Sequence, residues 1–214
     1  MSIEKEIRKK ITEISHLCWD NKWVASNDGN ISVKINNKIF ITPTLISKKI
    51  VSPEVICVTD LDGNLIGKNK SKPSSEIKLH LKAYAKRDDI FSVVHMHPPY
   101  ATAHAVAGIP LEEPLMTEIV STIGKIPLAP YGTPSTNEVP DSIDKIIEKY
   151  DSLLLSNHGA MTCGKDIMDA YYKMEALEHF AKIRFIAFNL GKFNIISDEN
   201  IKKIQKISNN QLTC

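Results

Sequence analysis

Three segments of alternating apolar residues, Ile31–Ile35, Lys38–Thr42 and Val55–Thr59, come early in the chain with no helical stretch between them. Successive strand side chains point to opposite faces, so this alternation predicts strands that each bury one face. Asn36-Asn37 closes the first two into a hairpin, and Asp62-Gly63 marks another turn before Leu65-Ile66. Parallel strands need a long crossover, usually a helix, so strands that follow one another directly pair antiparallel. The pattern predicts a mixed α/β fold with antiparallel strand pairing rather than a doubly wound parallel sheet.

Helical periodicity fills the rest. Residues 2–20 carry Ile3, Ile7, Ile11, Ile14, Leu17 and Cys18 on one stripe. A helix over Glu76–Lys86 opens behind Ser74-Ser75, either of which can cap it, and another runs from Pro98-Pro99 to about Ala107. Short strands are predicted at Ile126–Pro130 and Leu153–Asn157, with a helix over Pro140–Tyr150 between them. The last helix has Asp166 as cap, an apolar face from Ile167 to Phe188, and Gly191 as its stop. No linker or repeat divides the chain, so residues 1–214 read as a single domain.

Hydrophobic residues at 43% and charged ones at 24% exclude wholesale disorder. A net charge of +2 with dispersed lysines gives no nucleic acid a partner surface. No apolar run approaches the ~20 residues that span a bilayer, and the start of the chain is amphipathic rather than a signal peptide. Cys18, Cys57, Cys163 and Cys214 form no CxxC pair and read as core residues or a frayed terminus. A cytoplasmic protein with no membrane partner is the expectation.

The chemistry is concentrated in Val93-Val94-His95-Met96-His97. Residues two apart on a strand share a face, so both imidazoles converge, as a divalent cation requires. His158 offers a third donor at the polar turn that stops Leu153-Leu154-Leu155. Three histidines and an open position read as a catalytic zinc site. The plainer alternative is histidines satisfied by backbone at a strand end. For Glu76 it is a helix-start carboxylate favoured by the macrodipole.

Asp28-Gly29-Asn30, Thr42-Pro43-Thr44, Ser74-Ser75-Glu76, His95-Met96-His97 and Asn157-His158-Gly159 stand in that order. The set resembles the class II aldolase/adducin-head family, which includes L-fuculose-phosphate aldolases, L-ribulose-5-phosphate 4-epimerases and methylthioribulose-1-phosphate dehydratases. The resemblance implies zinc, or another divalent transition metal, held by His95, His97 and His158. It implies Glu76 as acid/base and as an occupant of the fourth metal position in the empty enzyme. It places substrate phosphate at Gly29, Asn30, Thr44, Leu45, Ser74 and Ser75; hydroxyls and free N–H groups at a helix start suit an anion. Lys68, Lys70 and Lys72 precede the serines and either raise the positive potential there or belong to a solvated loop, the simpler reading.

The aldolase branch is the nearest, because the epimerase motif typically ends in aspartate. Its implied reaction is reversible cleavage of a ketose or deoxyketose 1-phosphate to dihydroxyacetone phosphate and an aldehyde. A Lewis acid across the carbonyl and adjacent hydroxyl stabilises the enediolate charge. The resemblance also implies a three-layer α/β/α fold around a central, mostly antiparallel mixed sheet. It implies a homotetramer with active sites at subunit boundaries, the apolar Pro114-Leu115-Met116 and Ile119-Val120 suiting an interface. Leu45 stands where the aldolase pattern has glycine, and the aldolase's interface tyrosine has no clear counterpart. Glu118 and Tyr131 are the candidates to replace it. The dehydratase, the epimerase and a non-catalytic adducin-like module are the alternatives.

Overall fold

The computed structural model describes residues 2–67 and 71–211. Helix α1 (Ile3–Asp20) leads into the hairpin β1 (Asn30–Ile35) and β2 (Lys38–Ile41), followed by β3 (Cys57–Thr59) and α2 (Ile77–Lys86). Next come β4 (Ser92–Met96), α3 (Pro99–Val106), α4 (Thr117–Thr122), β5 (Leu128–Ala129) and α5 (Glu138–Ser142). The chain continues through β6 (Ser152–Leu155), β7 (Gly159–Gly164), α6 (Ile167–Asn189) and α7 (Asp198–Gln211).

The strands form one seven-stranded sheet in the order β3-β2-β1-β4-β7-β6-β5. Each pairing is antiparallel except β5 with β6. The expected mixed sheet is therefore present, and period-two alternation sorts its side chains into two cores. Ile31, Phe40, Val94 and Met96 pack with α1, α3 and α6 on one face. Ile39, Ile41, Val93 and Met161 pack with Leu79, Ala83 and Val139 of α2 and α5 on the other. His95 follows Val94, so it shares the α2 face with Val93.

Two elements were not anticipated. β7 lies between β4 and β6 with all six residues buried, so it shows no apolar–polar alternation to reveal it. α7 runs beside α4, with Ser208 Oγ donating to Ser121 O at 2.9 Å. It covers part of the stretch read as an interface; Ile119 is itself buried and Leu115 and Met116 pack against the protein's own core. Other boundaries shift. The helix expected over Pro140–Tyr150 is only Glu138–Ser142 followed by turns, and the strand expected over Ile126–Pro130 shrinks to two residues. The apolar face of α6 is core only as far as Ala181; Phe185 and Phe188 are exposed. Cys18, Cys57 and Cys163 are buried free thiols, and Cys214 lies outside the described residues.

Candidate active site

The end of β4 and the turns around it bring the histidines together. Asn30 on β1 pairs with His95, and Met96 pairs with Ala160 at the start of β7. His97, one residue past β4, donates its backbone N–H to Trp23 O at 2.9 Å. His158 sits in the β6–β7 turn, where Asn157 takes a left-handed φ of 56°, a conformation asparagine tolerates. A Cβ on Gly159 would lie 2.5 Å from Met96 O and 2.6 Å from His97 Cδ2. Glycine is what lets the two strand ends meet there.

Ligand nitrogens of His95, His97 and His158 all lie within 4.8 Å of one another. His95 Nδ1 is 2.9 Å from Ala160 O. A carbonyl only accepts, so Nδ1 carries the hydrogen and Nε2 points a lone pair inward. His97 Nε2 lies 3.3 Å from that atom. Glu76 Oε2 is 3.4 Å from His95 Nε2, and Oε1 is 3.3 Å from His158 Nε2. Glu76 Oε1 and His158 Nδ1 are buried without hydrogen-bond partners. Lone pairs converging on one point, with a buried carboxylate oxygen beside them, are a donor set that fits a divalent cation.

Electrostatics keep two of the three imidazoles in the neutral form that a metal ligand needs. Burial, reinforced by His95 and His158, holds His97 down at about 3. Burial and His95 likewise hold His158 at about 4. For His95, burial pulls down but Glu76 outweighs it and raises the value. Burial pushes the Glu76 carboxyl up, yet His95, His158 and the Asn30 amide together hold it well below its usual range.

A cavity of about 200 Å³ opens beside this cluster. Its lining includes Gly29, Asn30, Thr44, Leu45, Ser74, Ser75, Glu76, His97 and His158, while His95 is fully buried behind it. Asp28, which stands in the first motif without an assigned role, joins them, as do Pro134 and Ser135, which no motif marked. Asp28 Oδ2 lies 3.7 Å from His97 Nδ1. Glu118 is exposed in the first turn of α4, Tyr131 is also exposed, and neither lines the cavity. Lys68 and Lys70 lie outside the described residues.

The segments expected to cradle an anion differ from that expectation in detail. Three N–H groups read as free are committed: Ser74 to Thr42 O, Glu76 to Ser74 Oγ, and Ile77 to Ser74 O. Neither serine caps α2 as expected: Glu76 occupies the N-cap, no side chain caps the helix, and Ser74 lies two positions before that N-cap. Thr44 N–H is likewise bound to Lys72 O. The Asn30 amide faces Glu76 rather than open space, with Nδ2 donating to Oε2 at 2.9 Å. Leu45 keeps the glycine-like backbone, at φ 59°, with its side chain 80% exposed. Lys48 is buried nearby, donating to Asn27 O and Ile46 O across the two loops. Burial lowers its ammonium to about 8 despite Asp28.

Residues 9–185 match the family described as Class II Aldolase and Adducin N-terminal domain, and the chain belongs to that family. An L-fuculose phosphate aldolase of Methanococcus maripaludis is 39% identical over 180 residues, covering 84% of this chain and 96% of that protein. A 3-oxo-tetronate 4-phosphate decarboxylase of Haemophilus influenzae is 28% identical over 204 residues, covering 92% and 95%. A solved L-fuculose 1-phosphate aldolase superposes with a TM-score of 0.88 at 27% identity, covering 96% of each chain. These relatives are named aldolases or a decarboxylase, and the chain is accordingly an enzyme. Among the described residues no helix is long and apolar enough to cross a membrane.

Proposed function

We propose that this protein is a zinc-dependent aldolase that reversibly cleaves a ketose or deoxyketose 1-phosphate to dihydroxyacetone phosphate and an aldehyde. The observation that carries the reading is the convergence of His95, His97 and His158 beside Glu76 at the wall of a polar cavity. The three imidazoles would hold the cation, which supplies Lewis-acid stabilisation of enediolate charge when bound. Glu76 moves the proton at the carbon that becomes carbanion-like, a role suited to a carboxylate held at the cavity wall. The hydroxyls of Thr44, Ser74 and Ser75 receive the phosphate, with Gly29, Asn30 and Leu45 shaping the site around it. Gly29 packs too tightly for a side chain: a Cβ there would lie 2.7 Å from Met96 Sδ.

The reading takes residues 1–214 as one cytoplasmic domain that acts as a homotetramer, with sites completed at subunit boundaries. The enzyme relatives favour it over an interaction module. Purified protein with zinc should be offered fuculose 1-phosphate, 5-deoxyribulose 1-phosphate, methylthioribulose 1-phosphate and 3-oxo-tetronate 4-phosphate. Dihydroxyacetone phosphate released from one of the first two supports the proposal. Dehydration of the third, or carbon dioxide from the fourth without any aldol cleavage, replaces it with the corresponding relative's chemistry.

A further inference from the structure

A single file of buried side chains runs from the core to Glu76. Asn30 and Ser32 are two residues apart on β1 and share its α2 face, while His80 and Tyr84 are one turn apart on α2. Tyr84 Oη lies 2.6 Å from Ser32 Oγ, and Ser32 Oγ lies 2.6 Å from His80 Nδ1. His80 Nε2 lies 2.5 Å from Asn30 Oδ1, and Asn30 Nδ2 lies 2.9 Å from Glu76 Oε2. Ser32 and His80 are wholly buried; Asn30 is 3% and Tyr84 6% exposed.

The donors and acceptors fix the sense of the whole chain. A carboxylate accepts, so Asn30 turns its Nδ2 toward Glu76 and leaves Oδ1 for His80. Oδ1 also only accepts, so His80 carries its hydrogen on Nε2 and a lone pair on Nδ1. Ser32 O–H fills that lone pair, and Tyr84 O–H donates to the Ser32 oxygen. The sense is opposite to that of His95, whose hydrogen sits on Nδ1 facing Ala160 O. Reversing any one link would set two hydrogens or two lone pairs face to face in a dry interior, where an unmade hydrogen bond is costly.

We propose that His80 is the positioning residue for Glu76: through Asn30 it fixes Oε2 as the anchored oxygen and leaves Oε1, which faces His158, to take and give the proton. Asn30 thereby serves the carboxylate first, with one amide hydrogen left over for substrate. This inference rests on the reading of Glu76 as the group that moves the proton.

Nitrogen-15 imidazole NMR of the full-length protein, paired with kinetics of four variants, tests it. His80 is expected as the Nε2–H tautomer. His80→Phe should lower kcat about 10- to 100-fold, with KM changed by less than about threefold. His80→Gln, which keeps an N–H for Asn30, should recover most of that loss. Ser32→Ala, a smaller change at the far end, should lower kcat several-fold, and it decides the matter if His80→Phe does not fold. An Nδ1–H tautomer on His80 overturns the chain whatever the activity. Wild-type kcat in folded Ser32→Ala and His80→Phe protein overturns the role. Full activity in Glu76→Gln overturns the reading of Glu76 instead and leaves the tautomer result standing, so the two failures are distinguishable.

Discussion

Leu45 is held in a left-handed backbone that costs an L-residue about 1–2 kcal/mol, while its side chain remains 80% exposed at the cavity mouth. Leu45→Gly removes that strain but adds about 0.5–1 kcal/mol of unfolded-chain entropy, so the melting temperature should move by only a few degrees. It also clears the lip of the proposed phosphate cradle, and the expected kinetic result is a lower KM for the proposed sugar-phosphate substrate. An unchanged KM would show that Leu45 does not restrict the site. His80 supplies a second test. Burial and the neighbouring His95 hold it at about 3, against an ordinary value of 6.5, with Glu76 pulling the other way. The folded state therefore favours neutral His80, and between pH 6.5 and about 3 the unfolded chain binds the extra proton. This contribution is complete above 6.5 and is lost as pH falls toward 3. Metal-free protein should melt lower at pH 5 than at pH 7, and less steeply so in His80→Phe; the same slope in both would refute the assignment.

Among the elements, α6 and the β4–β7 pair bear the most directly testable loads. Asp166 accepts from Met168 N and Asp169 N at 2.9 Å each, capping α6 as its sequence position predicts. Asp166→Ala should cost about 1 kcal/mol, seen as a fall of about 2–4 °C in a melting experiment, with kcat intact. Gly159→Ala should be worse. Its methyl meets Met96 O and the His97 ring, so it should cost about 1–3 kcal/mol and weaken cation binding by displacing His97. Metal titration beside the melt would separate these effects. The same elements show what was legible beforehand. α1, the β1–β2 hairpin, β4 and α6 carry clear periods or turn residues. β7 is Gly159-Ala-Met-Thr-Cys-Gly164, buried on both faces in mid-sheet, so its identity came from its neighbours rather than from its own pattern. α7 carries only Ile201, Ile204 and Ile207 against many polar residues, and Ile207 is exposed. That stripe was too thin to stand out without α4 beneath it.

At the scale of the molecule, residues far apart in sequence were legible as a site only where each one announced a donor. His95, His97, His158 and Glu76 did so by type and by motif. The supporting groups did not: Ser32, His80 and Tyr84 look like ordinary strand and helix residues until β1 and α2 are laid together, although their i, i+2 and i, i+4 spacing is regular. Lys48 resembled any surface lysine, yet it is 1% exposed. The exposed Phe185, Phe188 and Leu190 at the end of α6 are apolar surface that the proposed tetramer would account for. Light scattering behind a sizing column should give about four chain masses, and a monomer at micromolar concentration would contradict the shared-site arrangement. The most direct test of the central claim is calorimetric titration of zinc into chelator-treated protein. Wild type should bind one equivalent, and His158→Ala should bind at least about tenfold more weakly. Failure of wild type to take up a divalent cation, or wild-type affinity in His158→Ala, would contradict it.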